Sequence, residues 1–337
     1  MKRWIALLLA ALMVFALCAC GNTQKENNAT PTEAPKGNQT RTEAPKTDDQ
    51  PETKDKYLIG ISCRTFASPY FVTITEQMKD YAKEGTEFII NAADDDPSKQ
   101  ITQVEDLIQS GCDAILICPA NSSAIKPALA ACKEAGIPVV VFDSKADDMD
   151  LVDCTVVSDN YVCGWQCGET LAKALNYKGD VAEYVDVSQQ LGIERASGWR
   201  DAIAQYPDIH IVNTQEGAGD PPSALPKMEA ILQANPEIVG LFAFNDPSAN
   251  GCISAIAAAG RTGDILVVSI DGLDMALESI TRGEQLATSK QRTDIIAEKS
   301  MEAAYMLIAG ETPEHEIILD PTLVDASNVN DFYTPAA

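Results

Sequence analysis

Two stretches of the chain, 108–144 and 232–272, are copies of one unit. The first reads IQSGCDAILICPANSSAIKPALAACKEAGIPVVVFDS and the second LQANPEIVGLFAFNDPSANGCISAIAAAGRTGDILVVSIDG. With an offset of 124, Asn121 falls on Asn245 and Ala135-Gly136 on Ala259-Gly260, and the second copy gains four residues before its last strand. The parallel extends upstream, where Asp96-Pro97 and Asp220-Pro221 each open a helix. Asp serves as N-cap there and Pro as the first helical residue, where its missing N–H costs nothing. A duplication of this size gives the two halves one fold. Each reads strand, helix, strand, helix, strand, helix, strand.

The strands are continuous apolar runs, YLIGI at 57–61, AILI at 114–117, VVVF at 139–142 and ILVVSI at 265–270. Runs without alternation suit parallel strands buried on both faces. Helices lie between them, for example over 124–135 and 250–259. The class is therefore α/β, with right-handed crossovers and two similar doubly wound parallel-sheet domains. In such sheets ligands bind beyond the carboxyl ends of the strands. Asp143 follows VVVF, Asp271 follows VVSI, and Asn245 and Asp246 follow LFAF. Two such edges facing each other define a cleft, into which the Asn-Asp pair is expected to project. Capping of the next helix is the alternative, and it suits Asp246 better than Asn245.

The chain has 337 residues, enough for two domains, and 45% hydrophobic against 22% charged residues marks a folded protein. Its net charge of −25 argues against nucleic acid as a partner, because such binding needs a basic footprint. Residues 1–20, MKRWIALLLAALMVFALCAC, carry Lys2 and Arg3 and then an apolar run, which reads as a secretory signal. Its end, LCACGN at 17–22, resembles a bacterial lipobox, with Leu17 at −3 and Ala19 at −1 from Cys20. Lipidation of Cys20 would anchor the protein to the outer face of the bacterial cell membrane, and plain signal cleavage is the alternative. Residues 21–56 contain almost no large apolar residue and repeat TEAPK at 32–36 and 42–46, a flexible tether.

Eight further cysteines follow Cys20: Cys63, Cys112, Cys118, Cys132, Cys154, Cys163, Cys167 and Cys252. An even count in an exported protein invites disulfides, but most sit inside apolar runs, where Cys acts as a small hydrophobe. Reduced core thiols are the favoured reading, and Cys163 and Cys167 can meet on one helix face. No CxxC spacing supports a metal.

The order and spacing of SPYF at 68–71, VVVFD at 139–143, SDN at 158–160, FAFND at 242–246, IDG at 270–272 and Gln291 resemble the ribose-binding type of bacterial periplasmic binding protein, periplasmic binding protein type I. The likeness spans residues 57 to about 331. It implies two lobes, 57–158 with 292–319 and 159–291 with 320–331, joined by a three-segment hinge near Ser158, Gln291 and Asp320. The last helix, 293–309, would belong to the first lobe and the final strand to the second.

The resemblance further implies a monosaccharide or polyol as ligand. Tyr70 and Phe71 would stack on it, with Ser68 where the family often has Asn. Asp143, Asn245, Asp271 and Gln291 would hydrogen-bond its hydroxyls. Departures are Ser144 where the family commonly has Arg, Ile193 at a second Arg position with Arg195 two residues on, and Gly219 in place of an aromatic. Arg64, Phe66, Trp165 and Gln189 are candidates to take their place. The implied role is the solute receptor of an ABC importer, a monomer working with a membrane permease, closing about its hinge on the ligand. A sensory receptor of the same fold is the alternative.

No enzyme is expected. His210 and His315 lack a partnered serine or cysteine motif and read as surface residues. The acidic clusters at 94–96 and 147–150 lack the spacing of a calcium loop and read as solvated turns. No nucleotide motif supports a cofactor. Trp165 and Trp199 read as core residues, Trp165 the closer to the cleft.

Overall fold

The computed structural model describes residues 56–334; the leader at 1–20 with Cys20, and the tether through residue 55, lie outside the described residues. The first half of the chain runs β1 (Tyr57–Cys63), α1 (Pro69–Asp80), β2 (Thr86–Ala92), α2 (Pro97–Gln109), β3 (Ala114–Ile117), α3 (Lys126–Ala135), β4 (Val139–Phe142) and β5 (Cys154–Ser158). The second runs α4 (Asn160–Ala174), β6 (Gly179–Val185), α5 (Gln190–Ile203), β7 (Ile209–Glu216), α6 (Pro221–Ala234), β8 (Gly240–Ala243), α7 (Asp246–Ala258), β9 (Leu266–Asp271), α8 (Asp274–Thr281) and β10 (Ala287–Lys290). Helix α9 (Thr293–Ile308) and strands β11 (Glu316–Leu319) and β12 (Thr322–Asp325) complete it.

Two six-stranded sheets result, ordered β11-β5-β4-β3-β1-β2 and β12-β10-β9-β8-β6-β7. Their strands pair in parallel, except β12, which runs antiparallel to β10. The orders match position for position, as the duplication requires. The chain passes from one sheet to the other after Ser158. It returns by way of α9, whose Ile296, Ala297 and Met301 pack on the first sheet. It crosses again between β11 and β12.

The unbroken apolar strands behave as two-sided core. In the first sheet Ile59, Ile61, Leu116, Val140 and Phe142 face one hydrophobic cluster, shared with α1 and α9. Their strand neighbours Ile115, Ile117, Val139 and Val141 face another, shared with α2 and α3. Successive side chains of a strand point to opposite faces. Apolar residues at successive positions therefore serve the helices on both sides. In the second sheet Trp199 is fully buried and stacks on Phe242, with ring centroids 4.9 Å apart and planes 8° apart.

Asp96 caps α2 by accepting from Ser98 and Lys99 N–H, and Asp220 caps α6 by accepting from Ser223 N–H, each with Pro next in line. Helix α7 departs from expectation. It starts at Asp246, four residues before the 250–259 reading, and its cap is Asn245, whose Oδ1 accepts from Ser248 N–H at 3.0 Å. Pro247 is no obstacle in the first turn, where its N–H would have no helical partner.

All eight cysteines among the described residues are buried and free, so the core-thiol reading describes them. His210 and His315 are both exposed. Within the acidic cluster at 94–96, Asp94 pairs with Lys99, Asp95 with Arg64, and Asp96 acts as the cap.

Candidate functional site

In each sheet the order reverses beside the first strand of its half, between β1 and β3 and between β6 and β8. Connections on the two sides of such a point leave in opposite directions and open a crevice at the carboxyl ends of the strands. Residues from both crevices line a single cavity of about 1020 Å³. All nine candidates from the sequence line it: Arg64, Ser68, Tyr70, Phe71, Asp143, Arg195, Asn245, Asp271 and Gln291. Of the other residues weighed, Gln189 and Gly219 line it, whereas Ser144, Ile193, Phe66, Trp165 and Asp246 do not.

The first half supplies the aromatic wall. Ser68 stands at the N-cap position of α1, but its side chain makes no capping bond, so the hydroxyl is not consumed by the helix. Tyr70 and Phe71 follow in the first turn and meet edge to face, centroids 5.2 Å apart. The Arg64 guanidinium lies 5.7 Å from the Phe71 ring centroid, and its Nε donates to Asp95 Oδ1 at 2.7 Å. Arg64 is thus held between a ring face and a carboxylate. Asp143, 2% exposed, follows β4 with φ of 67°; its Oδ2 accepts from the Cys118 thiol at 3.7 Å, while Oδ1 has no hydrogen-bond partner. Burial raises its pKa, and nearby Tyr70, Arg195 and Arg64 oppose that rise. The buried Tyr70 phenol is itself raised well above its ordinary value, by burial and then by the Asp143 and Asp271 charges.

The second half supplies a charged and amide wall built around Arg195, 3% exposed. Its Nε donates to Asn160 Oδ1 at 2.8 Å, and Nη1 donates to Phe244 O at 2.9 Å and to Asp271 Oδ1 at 3.3 Å. Gln291 Nε2 donates to the same Asp271 oxygen at 2.9 Å. Burial pushes the Asp271 carboxyl up to about 7, with Arg195 resisting and the Asp246 and Asp143 charges adding to the rise. Ile193, the position matched to an arginine, is 45% exposed on the outer face of α5. The basic group arrives from Arg195 instead, about half a helical turn further on.

The Asn-Asp pair separates. Asn245 lines the cavity and caps α7 at once, its Oδ1 taken by Ser248 and its Nδ2 donating to Gly219 O at 3.1 Å. Asp246, expected beside it in the cleft, is 1% exposed and turned beneath the loop after β9, where buried donors surround it. Trp165, half buried, stacks on Tyr161 away from the cavity, and Phe66 is exposed. Sequence reading passed over Thr65, Leu191 and Met275 in the lining, and took Asp95, within the acidic cluster at 94–96, for part of a solvated turn. Of these only Asp95, in the loop after β2 and bonded to Arg64, had a legible signal.

A periplasmic binding protein domain matches residues 59–312. The ribose import binding protein of Bacillus subtilis is 36% identical over 266 residues, 78% of this chain and 86% of the relative. A D-apiose import binding protein of Paraburkholderia graminis is 29% identical over 332 residues, 97% of this chain and 96% of its own length. Among solved structures, a periplasmic solute binding protein of an ABC transporter from Actinobacillus succinogenes, with bound D-allose, matches with a TM-score of 0.79. It is 30% identical, and the match covers 82% of this chain and 100% of that one. The chain belongs to the periplasmic binding protein family. That family comprises substrate-binding proteins of transport, not enzymes, and its members work outside the cytoplasm.

Proposed function

We propose that this protein is the solute receptor of an ABC importer and encloses one monosaccharide or polyol between two lobes, 57–158 with 292–319 and 159–291 with 320–331. The observation that carries this reading is the cavity itself. The strand-end carboxylates Asp143 and Asp271 face it from opposite sheets, beside an aromatic pair and buried amides. Aromatic faces pack on the C–H groups of a sugar ring, and carboxylates and amides share the donors and acceptors of its hydroxyls. Tyr70, Phe71 and Ser68 are the contacts from the first lobe, with Asp143. Arg195, Asn245, Asp271 and Gln291 are those from the second, and Arg64 closes the rim through Asp95.

Closure about the three crossings is favoured by ligand because contacts from both lobes form only in the closed state. A membrane permease then distinguishes closed from open receptor. Both walls of the cavity come from one chain, so a monomer suffices. Lipid on Cys20 would hold the receptor at the cell membrane, with 21–56 as its tether.

A thermal-shift screen of residues 57–337 against pentoses, hexoses, polyols and nucleosides tests this. A ligand at a hundred times its dissociation constant adds about 2.7 kcal/mol of stability, a shift of several degrees. No shift with any sugar or polyol refutes the ligand class. Mass spectrometry of the membrane-extracted chain tests the anchor, with diacylglyceryl on Cys20 as the expected result.

A further inference from the structure

Asn245 and Asp246, at the start of α7, divide their work, and Asp246 has no part in the cavity lining. Its carboxylate is ringed by donors from the loop and strand on either side. Oδ1 accepts from the hydroxyls of Ser269 in β9 and Thr288 in β10, the latter at 2.8 Å. Oδ2 accepts from Leu273 N–H at 2.7 Å. Gly272 N–H donates to Thr288 Oγ1 at 3.2 Å, and Gln285 Nε2 donates to Ser269 Oγ at 2.7 Å. Both backbone donors of the turn after Asp271 thus end on Asp246 or on a hydroxyl that Asp246 orients. From the outer side Lys290 Nζ donates to Gly272 O at 3.0 Å.

The turn so held is not a relaxed one. Asp271 has φ of 129° and Gly272 of 75°, and a Cβ on Gly272 would come within 2.3 Å of the Lys290 side chain. A non-glycine residue at positive φ persists only where its surroundings over-determine it. Here that conformation brings the Asp271 carboxylate to Arg195 and Gln291 at the cavity wall. Two residues on, Leu273 leaves its own lobe and packs against the hydrophobic cluster of the other, which contains Tyr70 and Phe71. One short turn therefore contributes a polar group to one wall and reaches across to the other.

We propose that Asp246 is a positioning residue for the binding site: its buried carboxylate holds the 271–273 turn in the form that presents Asp271 to the cavity and seats Leu273 on the opposite lobe. The proposal rests on the reading of this cavity as the ligand site, and it adds a residue that never touches the ligand. A carboxylate suits the place because it accepts at both oxygens from the three groups that face it. Alanine there removes both acceptors at once and leaves the Leu273 N–H and the two hydroxyls without their partner.

Hydrogen exchange in the ligand-free whole chain reads the turn directly at the Gly272 and Leu273 amides. In Asp246→Ala these two amides are expected to exchange at least about tenfold faster, while those of β6 and β8 keep their protection. Thr288→Val removes the hydroxyl that joins Gly272 to Asp246 and should act the same way at Gly272, so the test survives if the first variant does not fold. Unchanged exchange at Gly272 and Leu273 overturns the proposal. So does an acceleration of equal size throughout the second sheet, which is what a carboxylate needed only for folding would give. Because no ligand enters the measurement, a failed sugar screen and a failed positioning role are separate results.

Discussion

Asp143 and Asp271 stand at the same place in the two halves of the molecule. Asp143 follows β4 directly and Asp271 ends β9, both at positive φ, and both line the one cavity. Their partners differ. Asp271 is tied to Arg195 and Gln291, whereas Asp143 has a thiol on one oxygen and no bond on the other. Removing them should therefore have unlike consequences. Asp143→Ala should weaken binding of the sugar found by screening by about 1–3 kcal/mol and leave the ligand-free melting temperature level or higher, since a buried carboxylate with one unbonded oxygen is gone. Asp271→Ala should weaken binding and also destabilise the free protein, because Arg195 is left buried without its counter-charge. Calorimetric titration and thermal melts of both variants check the pair. Equal melting changes in the two would contradict the asymmetry.

Arg195 joins three elements by one side chain, holding Asn160 at the start of α4, the Phe244 carbonyl after β8, and Asp271. Arg195→Met keeps the bulk and strips every donor, leaving three buried acceptors short. Breaking one side of a buried ion pair costs about 3–5 kcal/mol, so a fall of several degrees in melting temperature is expected together with lost sugar binding. Arg195→Lys should recover part of the stability but not the geometry, since an ammonium cannot reproduce the planar fork. Melting curves of the two variants side by side decide this.

The fold was open to reading because duplication and two-sided strands leave few alternatives. VVVF at 139–142 and GLFA at 240–243 are buried at every position, as only central parallel strands are. The site was legible to the extent that it hangs on strand ends, which is why Asp143 and Asp271 were found by position alone. Side chains one or two residues further on were not. Asn and Asp are comparable caps, so a helix start that moves by one residue exchanges the capping group for the buried one, as at Asn245 and Asp246. Likewise a shift of two residues on α5 moves a side chain from the outer face to the inner one, which separates Ile193 from Arg195. Cavity-lining residues such as Met275 depend on how the second sheet's loops pack, which no local pattern encodes.

The eight buried thiols should be chemically silent in the folded protein. Burial pushes Cys112 and Cys154 up to about 11 and Cys132, Cys163 and Cys252 up to about 12. The thiolate is the reactive form, so neither oxidation nor alkylation should proceed near neutral pH. Titration of residues 57–337 with a chromogenic disulfide should find essentially no reactive thiol before denaturant is added and eight after it. Rapid labelling of the native protein, or fewer than eight thiols in the unfolded chain, would show that some of them pair or open.

Acidity should stabilise the ligand-free protein over a defined range. Burial raises the Asp271 carboxyl to about 7, from an ordinary value of 3.8, and raises the Asp143 carboxyl as well. The folded state therefore holds these protons more tightly than the unfolded chain does. Such a group contributes stability that is fully present below the unfolded value and is lost as pH rises through the folded one. From pH 5.5 to pH 8 the melting temperature should fall. Asp294, lowered by its bond to Arg292, acts in the opposite sense, but its effect is confined to pH below about 4, where an unfolded aspartate takes up its proton. Asp271→Asn removes the titration centred near pH 7 and should flatten the slope there. A melting temperature that rises between pH 5.5 and pH 8, or a slope that Asp271→Asn leaves untouched, would show that these carboxyls do not govern it.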